Sequence, residues 1–267
     1  MRQNCDRSRD FEEAAMTSMY ICGEYSKGNQ IQKLGSYYNN LYQGLFRESK
    51  MSYYIDDNKV TLTALRERIE KTDLVPSRQA ILDGIAEKFA TLEGLEIITL
   101  AALRNEMKTP KRISELAGKS GLDEDYLKLL RREIEGYFPK PIKLTDFDWM
   151  PADELTKLIQ YGIKDSAMLF EAMETDTTAL QAATAVDNEV LQKLCKCCSL
   201  TRIQWVSART ARMIILSGYN TPEELATAKA EDLDAGFKRV NADGSFYKGV
   251  IGLRDVQRLI DGANYVV

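Results

Sequence analysis

Five cations, Lys193, Lys196, Arg202, Arg209 and Arg212, fall in a stretch that holds no Asp or Glu between Glu189 and Glu223. Gathered around one turn, they could neutralise several phosphates of a nucleic-acid backbone, the term that dominates sequence-independent binding. The same charges also suit a solvated helix face, or pairing with Glu223, Glu231 and Asp232, which is the commoner fate of a charge run. The chain as a whole carries −4 at pH 7, so any such attraction is local.

Other reactive residue types are sparse. Cys195, Cys197 and Cys198 crowd into CKCC, but the chain has no histidine, and three neighbouring thiols on one helix do not complete a tetrahedral metal site. Small buried side chains are expected there instead. Without histidine, Ser-His-Asp and Cys-His catalysis are both excluded. No phosphate-binding Walker loop, dinucleotide fingerprint or spaced carboxylate pair is present. These residues point to a protein that is not an enzyme, needs no metal or cofactor, and has no evident small-molecule substrate. Five cysteines, an odd count, do not make a secreted disulfide framework. The first residues, MRQNCDRSRDFEEAAM, put charges where a signal peptide has apolar ones. No run reaches the ~18 apolar residues of a membrane span. The expected location is the cytoplasm.

The elements that would position the basic cluster form an internal repeat. The stretch beginning Leu144-Thr145 recurs fifty-six residues later at Leu200-Thr201, and the register aligns Trp149 with Trp205, Ala152 with Ala208, Ile159 with Ile215, Gly162 with Gly218 and Asp176 with Asp232. Upstream, Leu116, Leu127 and Leu130 match Leu180, Leu191 and Leu194 at an offset of sixty-four, so the second copy is eight residues shorter between its halves. Each copy reads as a helical hairpin. Trp149 or Trp205 sits in the turn entering a short helix, and the tryptophans are expected to be core anchors. Gly162 or Gly218 ends that helix, because glycine takes the left-handed C′ position cheaply. Asp165 or Thr221 then caps the next helix, with Pro222 at its first position and Glu224 placed for a capping box.

Asp123 and Asp187 are expected to cap the helices before each hairpin, with acids in the first turn to suit the helix dipole. Those acids also argue against reading RISELAGKSGLDEDYLKLLRREI as a DNA-reading helix-turn-helix, since they would face phosphates. Ser77 is expected to cap a helix carrying Ile81, Ile85, Phe89 and Leu92. A weaker third hairpin is expected where Gly94 precedes Thr99. The expected fold is all-α, with tandem helix-hairpin-helix-like repeats stacked on a shared core. Its segments are a loosely structured N-terminal extension (1–50), which could be translated upstream sequence, an N-terminal helical region (51–112), repeat one (113–176), repeat two (177–240), and a turn at Asp243-Gly244 followed by a capping helix (241–267).

Arg202-Ile203, Ala211, Gly218, Thr221 and Glu224-Leu225-Ala226 carry a pattern in which the second copy resembles a bacterial helix-hairpin-helix-like family, domain-of-unknown-function family 4332, over roughly residues 85–240. The resemblance implies the fold, and by analogy with helix-hairpin-helix units a grip on DNA backbone. Such hairpins present glycine–apolar–glycine so that bare N–H groups approach phosphate. Here the triplets are Trp149-Met150-Pro151 and Trp205-Val206-Ser207, and Pro151 has no N–H to offer. Asp146, Asp148, Asp153 and Glu154 further exclude copy one as a phosphate site. The leading expectation is a non-catalytic helical-repeat binding or scaffold protein with a macromolecular partner. The runner-up is sequence-independent DNA binding through the second hairpin, leaving protein partner against DNA backbone undecided.

Overall fold

The computed structural model describes residues 52–266, so the expectations for residues 1–50 lie outside the described residues. Helix is the only extended regular structure among them, and the all-α expectation holds. The helices are α1 (Leu62–Lys71), α2 (Ile85–Glu93), α3 (Leu100–Glu106), α4 (Pro110–Ser120), α5 (Glu124–Glu135), α6 (Ala152–Tyr161), α7 (Ser166–Thr184), α8 (Asn188–Leu200), α9 (Ala208–Leu216), α10 (Pro222–Ala226), α11 (Ala230–Val240) and α12 (Leu253–Ala263).

Their starts follow from capping side chains that satisfy otherwise orphaned N–H groups. Asp123 Oδ2 accepts from Tyr126 N at 2.8 Å, Asp187 Oδ1 from Glu189 N at 2.9 Å, and Asp165 Oδ1 from Met168 N at 2.9 Å. Thr221 Oγ1 accepts from Glu224 N at 3.2 Å, while the Glu224 carboxylate reaches one residue past the cap to accept from Asn220 N at 2.6 Å. Ser77 does not cap. Pro76–Leu82 is a 3₁₀ segment, and Gly84 at φ 59° breaks it from α2, so the apolar residues 81–92 belong to two elements.

Three hairpins close in the same way. Gly162 and Gly218 both lie at φ 108°, and the next N–H reaches back five residues: Ile163 N to Leu158 O at 3.0 Å, Tyr219 N to Ile214 O at 3.2 Å. The earlier hairpin repeats this bond as Ile97 N to Leu92 O at 3.3 Å, but Gly94 is right-handed at φ −63° and the left-handed residue is Glu96 at φ 62°. Thr99, Asp165 and Thr221 each follow the left-handed residue by three. The position, not the glycine, is what recurs.

Two clusters of buried side chains result. One runs from Leu62 to Tyr137 through α1–α5. The other joins copy one's Leu155, Leu158 and Leu169 to copy two's Leu191, Leu194, Ala211 and Ile214, and to Val256 and Ile260 of α12. Each fully buried leucine contributes about 2 kcal/mol by leaving water. Tyr53, ahead of α1, ties the two copies together, since its hydroxyl donates to Thr201 O at 3.1 Å and lies 3.0 Å from Ser166 Oγ. The turn at Asp243-Gly244 forms as expected, with Gly244 at φ 70°, and α12 packs on α10 and α11.

Candidate functional site

The second hairpin connects α8 to α9 through Thr201–Ser207. Successive turns bond Ile203 N to Leu200 O at 3.1 Å and Val206 N to Ile203 O at 3.2 Å. Ser207 caps α9, its Oγ accepting from Thr210 N at 3.1 Å. Between them Trp205 is left-handed at φ 67°. That is a backbone region which favours glycine, and Val206 beside it is buried. A non-glycine residue held there costs about 1 kcal/mol or more.

The five candidate cations do not gather on one face. Arg202 is 5% exposed. Its Nε donates to Tyr53 O at 3.1 Å, one terminal nitrogen donates to Val266 O at 2.8 Å, and the guanidinium lies 4.7 Å from the Phe170 ring centroid. Its expected role as a phosphate contact is therefore corrected: it is an internal clamp, and burial lowers its pKa. Arg212 is half-buried between Trp149 and Phe246, 5.0 and 5.2 Å from their ring centroids. Arg209 is exposed beside Asp148 at 3.4 Å. On α8, Lys193 pairs with Glu189 at 2.6 Å and Lys196 donates to Asn220 at 3.1 Å. Neighbouring acids and rings take up much of the charge that the sequence stretch concentrates.

The tryptophans also part ways. Trp149 packs edge-on against Phe147, centroids 5.6 Å apart, beneath Arg212. Trp205 is 47% exposed, so its expected role as a core anchor is corrected: the left-handed turn aims its side chain outward. Gly162 and Gly218 are the hairpin closures that the sequence indicated. Burial pushes the Cys195 and Cys197 thiols up to about 12 and Cys198 well above its ordinary value, so all three stay protonated and inert at neutral pH. Among the described residues no cluster of acids and cysteines is arranged to hold a metal ion.

Sequence reasoning missed the surroundings of Trp205. Glu133 of α5 is 1% exposed and receives Arg78 at 2.5 Å. Arg68 of α1 lies between the rings of Tyr137 and Tyr265, 3.4 and 3.9 Å from their centroids. Burial there lowers the Arg68 pKa and raises that of Tyr137, which also faces the Glu133 carboxylate. Asp73 receives Arg254 and, at 3.3 Å, Arg258, both from α12. Partners this far apart in the chain leave no local spacing to read. Trp205 stands over the region and walls a recess of about 70 Å³ with Thr72, Leu74, Val75, Arg78 and Glu133. It also walls a larger one of about 280 Å³ with Val75, Phe237, Ile251 and Leu259. A third recess of about 400 Å³ adjoins the second through Thr210, Ile251 and Asp255, and is edged by Tyr247 and Val250.

The part of the chain that comparison with other proteins recognises runs from copy one's hairpin through hairpin two to the C-terminal helix. Residues 150–265 match the family model of a domain of unknown function, DUF4332. The match starts at copy one's hairpin and takes in α12, so it lies further toward the C-terminus than the span expected from the sequence. No curated protein and no solved structure matches the chain.

Proposed function

We propose that this chain is a non-catalytic binding module of tandem helix-hairpin-helix-like units, acting in the cytoplasm, whose partner is another protein. One observation carries the reading. Beside α9, at the lead-in to α12, Tyr247 and Val250 stand open to water over adjoining apolar recesses, and Val250 is 88% exposed. Contiguous apolar surface left open by a chain with ample core is the mark of an interaction face.

Sequence-independent DNA binding through hairpin two is the second reading. Its support is the glycine-favouring backbone held at Trp205, which leads into the N-terminus of α9 with Arg209 exposed beside it. Arg202 no longer counts toward it, and Arg212 is occupied by rings. A photoreactive residue at Val250 of the full chain, irradiated in the native host, tests the first reading. Protein adducts at Val250, absent when the same group replaces Lys111 on α4, are expected. Adducts to nucleic acid alone, or none, would overturn it. A labelled duplex followed by anisotropy at low salt tests the second, for which salt-sensitive micromolar binding lost in Lys196→Glu/Arg209→Glu is required.

A further inference from the structure

Arg68 is 9% exposed, and the faces of its guanidinium are covered by the Tyr137 and Tyr265 rings. Its in-plane N–H groups are the unusual part. Among the described residues no hydrogen bond or ion pair reaches them, and Nε is sealed from water without an acceptor. A buried charge is ordinarily paired and hydrogen-bonded, because its desolvation is otherwise uncompensated. The neighbouring arginines meet that rule: Arg78 holds Glu133, Arg258 holds Asp73 and Asp255, and Arg202 donates to two carbonyls.

The surroundings set the size and the sign of what can meet those donors. A cavity of about 10 Å³ lies against Arg68, bordered also by Thr72, Gln204, Trp205, Arg258 and Tyr265. That is close to one water-sized sphere, so it suits a single-atom occupant and shuts out phosphate, sulfate and carboxylate groups. Gln204 is buried and brings a second donor, since its Nε2 has no acceptor. Two carboxylates border the cavity as well. Asp73 is held by Arg254 and Arg258, Asp261 accepts from Gln257 at 2.8 Å, and neither pairs with Arg68. The Glu133 carboxylate, whose field does reach Arg68, is bonded to Arg78 and lines the separate recess of about 70 Å³. The charge left without a partner here is positive.

We infer that this cavity is a halide site, taking one chloride ion in the plane of the Arg68 guanidinium with the Gln204 side-chain amide as a second donor. A water molecule is the rival occupant of that size. The sign of the charge separates the two, because an anion beside a buried cation favours its charged form and water brings no charge. The ion joins α1 to the turn of the second hairpin where α12 crosses them. The inference stands apart from the partner reading above and uses neither Tyr247 nor Val250.

Crystals of the full chain soaked in sodium bromide are expected to show an anomalous peak within hydrogen-bonding reach of Arg68 and Gln204. In solution, melting temperatures are compared in sodium chloride and in sodium gluconate at equal ionic strength, gluconate being too large for the cavity. Chloride at about ten times its dissociation constant should raise the native melting temperature by about 3–6 °C over the gluconate value. Arg68→Met keeps the stem between the two rings and removes an unpaired charge, so it should fold in gluconate and lose the chloride response. Gln204→Leu should keep the response but need roughly tenfold more chloride to reach half of it, the worth of one hydrogen bond to a charged group. Electron density in the cavity without bromide signal, which is water alone, would overturn the inference. So would a native chain indifferent to chloride, or an Arg68→Met chain that responds as the native one does. If Arg68→Met fails to fold, Gln204→Leu decides, and an unchanged chloride midpoint there overturns the inference.

Discussion

Arg202 shows how a residue's neighbours decide its role. In sequence it belongs to a run of cations beside a turn, and a charge there suggests a ligand. In the structure its guanidinium is the junction between the backbone of Tyr53 and that of Val266, with both bonds shielded from water. A planar fork reaches two carbonyls at once in a way that an ammonium group does not. Arg202→Met should therefore destabilise the fold by about 2–3 kcal/mol, because two buried carbonyls lose a charged donor. Arg202→Lys should recover less than half of that loss. Urea denaturation of the three proteins decides it, and a neutral Arg202→Met would return the residue to the surface. Trp205 carries the same lesson. The repeat register predicts one role for both tryptophans, yet the backbone angle that separates them leaves no trace in residue type.

Helix boundaries were more legible than side-chain roles, because they depend on residues close in sequence. Asp123, Asp165, Asp187 and Thr221 all cap the helices expected of them, and Gly162 and Gly218 both close hairpins. Local signals failed where two of them competed. At 76–82 the proline and serine suggested a helix start, but Gly84 broke the segment into 3₁₀ and α pieces. Copy one's long α7 kinks at Asp176, whose carboxylate caps Ala179 at 2.9 Å; copy two separates α10 from α11 just before the matching Asp232. The hairpin closures can be tested by exchange. A β-carbon at Gly218 would meet nothing within 4 Å, so Gly218→Ala isolates the cost of the left-handed backbone, about 1–2 kcal/mol. Glu96→Gly should move stability the other way by up to ~1 kcal/mol. If both changes leave the denaturation midpoint unmoved, the shared closure does not contribute as described.

At the scale of the whole described chain, α12 links regions far apart in sequence. Arg254 and Arg258 hold Asp73, and Tyr265 stacks on Arg68, so the C-terminal helix bonds to the segment after α1. Hydrogen bonding from Arg254 holds the Asp73 carboxyl below the usual carboxylate value, with Arg258 adding to the effect. A depressed folded-state pKa contributes stability that is present above the unfolded value of ~4 and is lost as pH falls through the lower folded one. Thermal melts from pH 6 down to pH 2.5 should therefore fall more steeply for the native chain than for Asp73→Asn; parallel curves would show that the contact carries no linkage. None of this could be read from a repeat pattern, which aligns copies with one another but says nothing about what returns to cover them.

The bond from Arg202 to Val266 also has a direction in time. Tyr53 leaves the ribosome long before the residues that bind its hydroxyl and its carbonyl. The cluster from Leu62 to Tyr137 can pack while synthesis continues, but the bond to Val266 cannot form until residue 266 has been made. The clamp from Tyr53 to Val266 is therefore among the last contacts a growing chain can make, and the part of the repeat core that Val256 and Ile260 cover closes only once those residues have been made.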